Sequence, residues 1–259
     1  MSPFPTLFLS HGAPDLPLRE GAVTHFLRSL SQRLPQPAAI LVISAHWHGE
    51  PLRVSAALNP ETHHDFSGFP AALYQLKYPA PGSPELANRV VQLLTQAGIA
   101  CRPDSHRGFD HGTWTPLMLA YPKAQIPIVQ LSVQYQQSPQ QHWQIGQALE
   151  PLRDERILIM GSGSATHNLA AMKSDYQALV PAWVWEFDDW LTKTIAHQNW
   201  GALMQYRQLA PYARENHPTP EHLLPLFVAL GAAGQAAQAK QLHRSYVYGV
   251  LSTAAYAFH

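Results

Sequence analysis

The sequence contains a single cysteine, Cys101, among its 259 residues. One cysteine excludes a disulfide within the chain and a zinc site built from several thiolates. Charged residues are also scarce, at 13% of the chain, against about a quarter in a typical globular protein. The 17 basic and 17 acidic side chains balance, so no net field attracts nucleic acid or an anionic membrane surface.

Long apolar runs and several well-known catalytic motifs are missing as well. No stretch approaches the roughly 20 apolar residues of a membrane-spanning helix, and the opening MSPFPTLFLSHG is not typical of a secretory signal peptide. There is no H-E-x-x-H, the segment GSGSATHN (161–168) lacks the Walker lysine, and no G-x-S-x-G surrounds Ser162 or Ser164. We therefore expect a cytoplasmic protein without nucleic-acid or membrane partners; the sequence does not specify its oligomeric state.

The apolar segments that are present alternate between two kinds. Short continuous runs are typical of strands covered on both faces of a mostly parallel sheet; they are TLFL (6–9), AAILVIS (38–44), IPIVQLSV (126–133) and RILIMGS (156–162). Segments with helical spacing lie between or after them, at 84–98, 142–154 and 180–197. This alternation predicts an α/β fold: a single domain over residues 1–259, with a central, mostly parallel sheet flanked by helices.

Histidine is the residue in excess, with 15 copies. Three strand-like runs each finish with a histidine within a few residues: His11, His46 and His167. Ligands of open α/β sheets bind outside the carboxyl ends of the strands, so these imidazoles can converge although they are distant in sequence. His111 and His222 are expected to lie in Gly- or Pro-rich loops, where binding residues concentrate. Because histidine is the commonest metal ligand, we predict a metal site at the carboxyl ends of the strands, with His11 and His46 on neighbouring strands.

The remaining histidines carry weaker expectations. His48 is expected to face water just after its strand has ended, and His63 and His64 lie close in sequence to Phe66 and Phe69, where they could line a pocket. The others are expected to be exposed or hydrogen-bonded side chains without a role in the site.

Seven segments, taken in order along nearly the whole chain, resemble the class III extradiol ring-cleavage dioxygenases, and more narrowly their 4,5-DOPA dioxygenase subgroup. They are SHGAP (10–14), SAHW (44–47), HDFSGFP (64–70), YPAPGSPELA (78–87), GFDHGTWTPL (108–117), THNL (166–169) and HPTPEHLLPL (217–226). The resemblance implies an α/β domain that carries one non-haem metal ion. It also implies Fe²⁺ for activity, with Zn²⁺ able to occupy the same site.

Carried over residue by residue, the resemblance implies His11, His46 and His222 as metal ligands. His167 matches a histidine at the metal that acts as acid and base, and it is also a possible fourth ligand. His111 matches a second active-site histidine near the substrate.

Two residues close to His222 in sequence leave open which residue is the third metal ligand. Glu221 is the alternative to His222, because the wider class uses two histidines and one carboxylate. His217 stands where a shorter polar loop is common and could compete for the metal; the other departure is Ala13, where a serine is common.

The implied reaction is insertion of both atoms of O₂ into a catechol, a DOPA-like one under the subgroup resemblance. Ring-packing candidates are Trp47, Phe66, Phe69 and Trp114, and Arg19, Lys77 and Arg107 are available to meet a substrate carboxylate. The competing hypotheses are a metal-binding scaffold of related fold without turnover and a zinc-dependent hydrolase.

Overall fold

The computed structural model describes residues 3–259 and is built around an eight-stranded sheet. Its strands are β1 (Thr6–Ser10), β2 (Ala39–His48), β3 (Leu52–Ser55), β4 (Cys101–Asp104), β5 (Ile128–Val133), β6 (Ile157–Gly163), β7 (Ala239–His243) and β10 (Ala255–Phe258), while β8 (Tyr246–Val247) and β9 (Leu251–Ser252) form a separate pair. The order across the sheet is β4-β3-β5-β2-β6-β1-β10-β7. The four central strands, β5, β2, β6 and β1, run parallel, which confirms the predicted mostly parallel sheet.

Helices cover both faces of this sheet. They are α1 (Ala22–Arg33), α2 (Pro84–Gln96), α3 (His111–Ala120), α4 (Pro139–Leu149), α5 (Ala182–Ala196), α6 (Trp200–Met204), α7 (Tyr206–Leu209), α8 (Ala213–Asn216) and α9 (Leu224–Ala232). One core layer contains apolar side chains of α1 and α3, and the other contains those of α2, α4, α5 and α9. Successive residues of the central strands alternate between these two layers, as the pleat of a strand requires. The three helical segments expected from spacing correspond to α2, α4 and α5.

The order of the strands corrects one expectation about the site. β1 and β2 are not neighbours, because β6 pairs with both of them and lies between them. The segment before α9 passes close over the end of β6, where a side chain at Gly163 would clash with the carbonyl oxygen of His222. The missing side chain at position 163 therefore lets His222 approach the carboxyl ends of the central strands.

Two local predictions are wrong. His111 does not lie in a loop but opens α3, whose first turn is capped by Asp110. β2 does not end before His48 but continues through it, with an irregularity in register after Ile43 and a pairing of His48 with Val133. The side chain of His48 is nevertheless exposed, as predicted. In the described part of the chain, no helix has the length and apolar character needed to span a membrane.

His142 makes the stability of this fold depend on pH. It is buried in α4, with Nδ1 donating to the Ser138 carbonyl and Nε2 accepting from the Gln134 N–H. Burial lowers the pKa of His142 from 6.5 to about 4, so below pH 6.5 the unfolded chain binds a proton that the folded chain excludes. Stability contributed by His142 is therefore complete above pH 6.5 and is lost as the pH falls toward 4.

We expect His142→Gln to shrink the difference in unfolding free energy between pH 7 and pH 5 by about 2 kcal/mol. Urea titrations at the two pH values measure that difference for both proteins. His106→Gln, at an exposed position, is the control and should leave it unchanged. An identical pH dependence in wild type and His142→Gln would contradict the assignment.

Candidate metal centre and active site

Five histidines meet at the carboxyl edge of the central strands. His11 follows β1 directly, His46 lies two residues before the end of β2, and His167 lies four residues after the end of β6. His111 is the first residue of α3, and His222 lies in the turn before α9. The fold thus brings together all five histidines that the sequence singled out, at the edge where open α/β sheets bind ligands.

Three of these imidazoles converge. The Nε2 atoms of His11 and His46 lie 3.0 Å apart, and the ring centroid of His222 is 5.5 Å from that of His11 and 4.9 Å from that of His46. One nitrogen from each ring lies within 4.8 Å of the other two. His11 and His222 are buried and His46 is partly buried, so the cluster faces little water.

The hydrogen bonds of His11 and His222 orient their lone pairs inward. Ser162 donates its hydroxyl proton to the carbonyl of Gly112, so its oxygen accepts the Nδ1–H of His11 at 3.0 Å. Glu221 accepts the Nδ1–H of His222 at 3.0 Å. The Nε2 atom of each ring therefore carries a lone pair, and that of His222 is buried without a hydrogen-bond partner. Holding Nδ1–H by an acceptor is how proteins orient imidazoles for metal binding.

Asp65 is a site residue that sequence reasoning missed. One of its carboxylate oxygens accepts the backbone N–H of His111 at 2.8 Å and the other accepts the Nδ1–H of the same residue at 3.0 Å. The second oxygen also lies 3.7 Å from Nδ1 of His46. In the sequence, Asp65 is marked only by its place in the HDFSGFP segment. The interpretation of that segment rests on its histidine and its aromatic residues rather than on the aspartate.

His167 lies beside the three converging rings rather than among them. Its ring stacks on His222, with centroids 3.4 Å apart and planes inclined by 10°. Its ligand atom groups with those of His222 and Glu221, not with those of His11 and His46. It is also the half-buried member of that stack, which leaves it accessible from the pocket that it helps to line.

The structure offers two further groupings that could hold a metal: His46 with Asp65 and His111, and His167 with Glu221 and His222. In both, the carboxylate already accepts hydrogen bonds, from His111 in the first and from Thr219 and His222 in the second. The cluster of His11, His46 and His222 has an orphaned buried nitrogen and inward lone pairs, and it fits a metal ion best.

His217 does not join any of these groupings. Its Nε2 donates to the carbonyl of Ala165 at 2.9 Å, and its buried ring lies among the side chains of Phe187 and Tyr206. The geometry of His217 therefore does not support the possibility that this residue competes for the metal ion.

Burial keeps four of the five site imidazoles neutral at pH 7. It is the largest cause that lowers the pKa of His11 and of His222 well below 6.5, and neighbouring imidazoles lower it further. The same two causes bring the pKa of His46 and of His167 to about 4. For Asp65, burial alone would raise the pKa, but the hydrogen bonds that it accepts from His111 and its electrostatic attraction to that residue outweigh burial and leave the pKa lowered. At neutral pH the site thus presents the uncharged imidazoles of His11, His46, His167 and His222 beside an ionised carboxylate.

A cavity of about 370 Å³ opens onto these histidines. Two of the four aromatic residues proposed for ring packing, Phe66 and Phe69, line it. Trp114 is instead fully buried and donates its indole N–H to the carbonyl of His63, while the buried Trp47 lies under the guanidinium of Arg107. His64 packs against Phe66 and Trp114 behind the cavity wall, and His63 is exposed.

Comparisons with known proteins assign the chain to a family. A family model described as the catalytic LigB subunit of aromatic ring-opening dioxygenase matches residues 2–259. The chain is 44% identical over 257 residues to a 4,5-DOPA dioxygenase extradiol of Beta vulgaris, covering 98% of this chain and 96% of that protein. It is 40% identical over 233 residues to the protein of the same name in Escherichia coli K12, covering 88% and 84% of the two chains.

The fold has a solved counterpart. The crystal structure of an uncharacterized protein from Escherichia coli K12 superposes with a TM-score of 0.84 at 33% identity, covering 99% of this chain and 100% of the other. Fold, histidine cluster and relatives together define an aromatic ring-opening dioxygenase of the extradiol class. The chain belongs to the LigB family.

Proposed function

We propose that His11, His46 and His222 hold one Fe²⁺ ion and that the enzyme uses it to open the ring of a catechol by extradiol cleavage. The observation that carries the proposal is the convergence of three imidazoles whose Nδ1–H groups, in His11 and His222, are held by Ser162 and Glu221. Fe²⁺ bound there supplies a centre that accepts a catechol and O₂ side by side. Zn²⁺ fits the same nitrogen ligands but lacks redox chemistry.

The surrounding residues position the substrate and move its protons. Asp65 accepts Nδ1–H of His111, so Nε2 of His111 carries a lone pair that can take a proton from a catechol hydroxyl. His167, stacked on His222 and accessible from the cavity, is the second group that exchanges a proton with the substrate. The rings of Phe66 and Phe69 provide apolar surface for the aromatic ring and exclude water around it.

The substrate is proposed to be a DOPA-like catechol, and the names of the relatives support this choice. The family match spans residues 2–259, which supports one catalytic domain over the whole chain. O₂ is the second substrate.

The test is turnover by iron-loaded protein, supplied with ¹⁸O₂, on DOPA and on simpler catechols. The expected product is a yellow ring-opened compound that has gained two ¹⁸O atoms. Failure to open any catechol with iron would overturn the proposal. Ester or amide hydrolysis by zinc-loaded protein would point to a zinc hydrolase instead, and metal binding without either activity would point to a scaffold.

Glu221 provides a prediction about the metal. Glu221→Gln replaces the carboxylate that accepts Nδ1–H of His222 by a neutral amide, so His222 becomes a weaker and less well oriented ligand. We expect metal affinity to fall about 10- to 100-fold, as measured by competition with a chromophoric chelator. Glu186→Gln, at an exposed position of α5, is the control. An unchanged affinity in Glu221→Gln would contradict the orienting role.

A further inference from the structure

Asp110 is a buried carboxylate close to the site that the proposed chemistry does not use. It lies next to His111, at the position that caps α3, and it is fully buried. Its two oxygens accept hydrogen bonds from the Ser44 hydroxyl at 2.8 Å, the Thr113 N–H at 3.2 Å, the Gln130 side-chain amide at 2.7 Å and the Arg107 guanidinium at 2.8 Å. Capping the helix needs only the bond from Thr113, so the other three donors connect Asp110 to residues outside α3.

Two of these donors also hold the backbone of His46. The Ser44 oxygen accepts the N–H of His46 at 3.2 Å, while its own proton is donated to Asp110. The Arg107 nitrogen that donates to Asp110 also donates to the carbonyl oxygen of His46, at 3.4 Å. Both backbone groups of a proposed metal ligand therefore contact side chains that one carboxylate holds.

These contacts fall where the pairing of β2 within the sheet is interrupted. The pairing of β2 with β6 runs as far as Ser44, and its pairing with β5 is irregular between Ile43 and His48. Backbone groups at such an irregularity need other hydrogen-bond partners. His46 lies inside this interval, and the side chains of Ser44 and Arg107 supply those partners.

The first turn of α3 also contacts the ring of His46. A side-chain atom added at Gly112 would lie 3.0 Å from Cδ2 of His46, so the absence of a side chain there allows the ring to pack closely against the turn. The ring centroids of His46 and His111 are 4.0 Å apart. The carbonyl of Gly112 accepts the hydroxyl proton of Ser162, whose oxygen accepts a hydrogen bond from His11. This turn thus carries His111, packs against His46 and supports His11.

Stability alone gives little reason to bury Asp110 with Arg107. The desolvation of a buried carboxylate and guanidinium offsets most of their attraction, so an apolar replacement is often as stable. The buried carboxylate does fix the relative position of two distant segments, because its bond to Ser44 spans 66 residues of chain. Arg107, one of the cations that the sequence offers for a substrate carboxylate, belongs to this network and lies outside the cavity lining.

We infer that Asp110 is a positioning residue that fixes the metal ligand His46 against the turn of α3 that carries His111. It acts through Ser44 and Arg107 and touches neither substrate nor metal. The inference rests on the proposed metal site and deepens it, because it names the residue that sets the spacing between a ligand and a proton-transfer group.

Ser44→Ala tests this role with the smallest change, because it removes the link from Asp110 to the His46 N–H and leaves both residues in place. Ser132→Ala is the matched control: Ser132 is also buried, and its hydroxyl oxygen accepts the backbone N–H of Arg53 at 2.9 Å. We expect Ser44→Ala to bind Zn²⁺ about tenfold more weakly than the wild type and Ser132→Ala to bind it normally, as measured by competition with a chromophoric chelator. Equal affinity of the two variants would overturn the inference.

A double-mutant cycle separates positioning from a general loss of stability. Asp110→Ser keeps a residue type that caps helices well but lacks the carboxylate that holds Ser44 and Arg107. If Ser44 acts on His46 through Asp110, Ser44→Ala should have almost no further effect on Zn²⁺ affinity in the Asp110→Ser background. Independent, multiplying effects would overturn the inference. If Asp110→Ser does not fold, the comparison of Ser44→Ala with Ser132→Ala still decides.

Crystal structures of the metal-free variants give a readout that does not depend on the proposed reaction. Functional groups must be held within about 0.5 Å of their productive positions, so we expect the His46 ring to move by at least about that distance relative to His111 in Ser44→Ala and to stay in place in Ser132→Ala. An unmoved ring in Ser44→Ala would overturn the inference and leave catechol cleavage intact. A displaced ring in that variant, beside a wild-type enzyme that opens no catechol with iron, would overturn the proposed function and support the positioning role.

Discussion

His11→Ala is expected to remove bound metal and ring cleavage together. The variant deletes one of two Nε2 atoms that lie 3.0 Å apart at the centre of the cluster, and it leaves only His46 and His222 in that grouping. Loss of a direct ligand should exceed the 10- to 100-fold loss of affinity that is typical for an outer group, so we expect at least about a 100-fold effect.

Elemental analysis of protein loaded with Fe²⁺ without oxygen, together with a catechol assay, measures both quantities. His48→Ala is the control, since His48 lies two residues beyond His46 on the same strand but is exposed. It should retain metal. Full metal content in His11→Ala would show that the ion is held elsewhere.

His167→Ala is expected to separate the two properties that His11→Ala loses together. His167 stacks on His222 and groups with Glu221 and His222 rather than with His11 and His46, so removing it leaves the three converging imidazoles in place. Proton transfer by a positioned side chain contributes about 10²- to 10⁴-fold to rate. We therefore expect kcat to fall by about that factor while most of the metal remains.

The same two measurements, metal content and turnover, decide this prediction. If His167→Ala loses metal as completely as His11→Ala, then His167 acts chiefly as a ligand and the division of roles proposed here is wrong. If it retains both metal and full turnover, His111 alone serves the proton transfers.

The central strands were predictable because their residues are buried on both faces, which gives continuous apolar runs rather than an alternating pattern. That signal placed His11, His46 and His167 at strand ends, and the structure confirms that these ends meet. It did not reveal the order of the strands. Pairing of β6 with both β1 and β2 is a long-range property that no local pattern encodes.

Helix α3 shows why part of the site could not be predicted. It is buried on all sides, so it has no polar face to produce an amphipathic pattern. Gly112 and Pro116 within it are also typical of a loop in sequence. His111 was therefore expected in a loop, although its role in the site did not depend on that assignment.

The residues that orient the histidines were the least predictable part. Asp65, Ser162 and Glu221 act by accepting an Nδ1–H. For Asp65 and Ser162 the histidine lies far away in sequence, so the hydrogen bond leaves no spacing to recognise. Ser162 and His11, for example, are 151 residues apart. The glycine-rich surroundings of Ser162 invite comparison with a nucleophile motif, yet its hydroxyl accepts a hydrogen bond from His11. Glu221 is an alternative metal ligand by sequence, yet its carboxylate accepts the Nδ1–H of His222.

Anomalous diffraction at the iron edge, from crystals grown with Fe²⁺ without oxygen, tests the central claim most directly. We expect one strong peak bonded to the Nε2 atoms of His11, His46 and His222, with Asp65 and Glu221 outside the coordination sphere. A peak bonded to Asp65 and His111, a peak bonded to Glu221 and His167, or no peak at any of these histidines would contradict it.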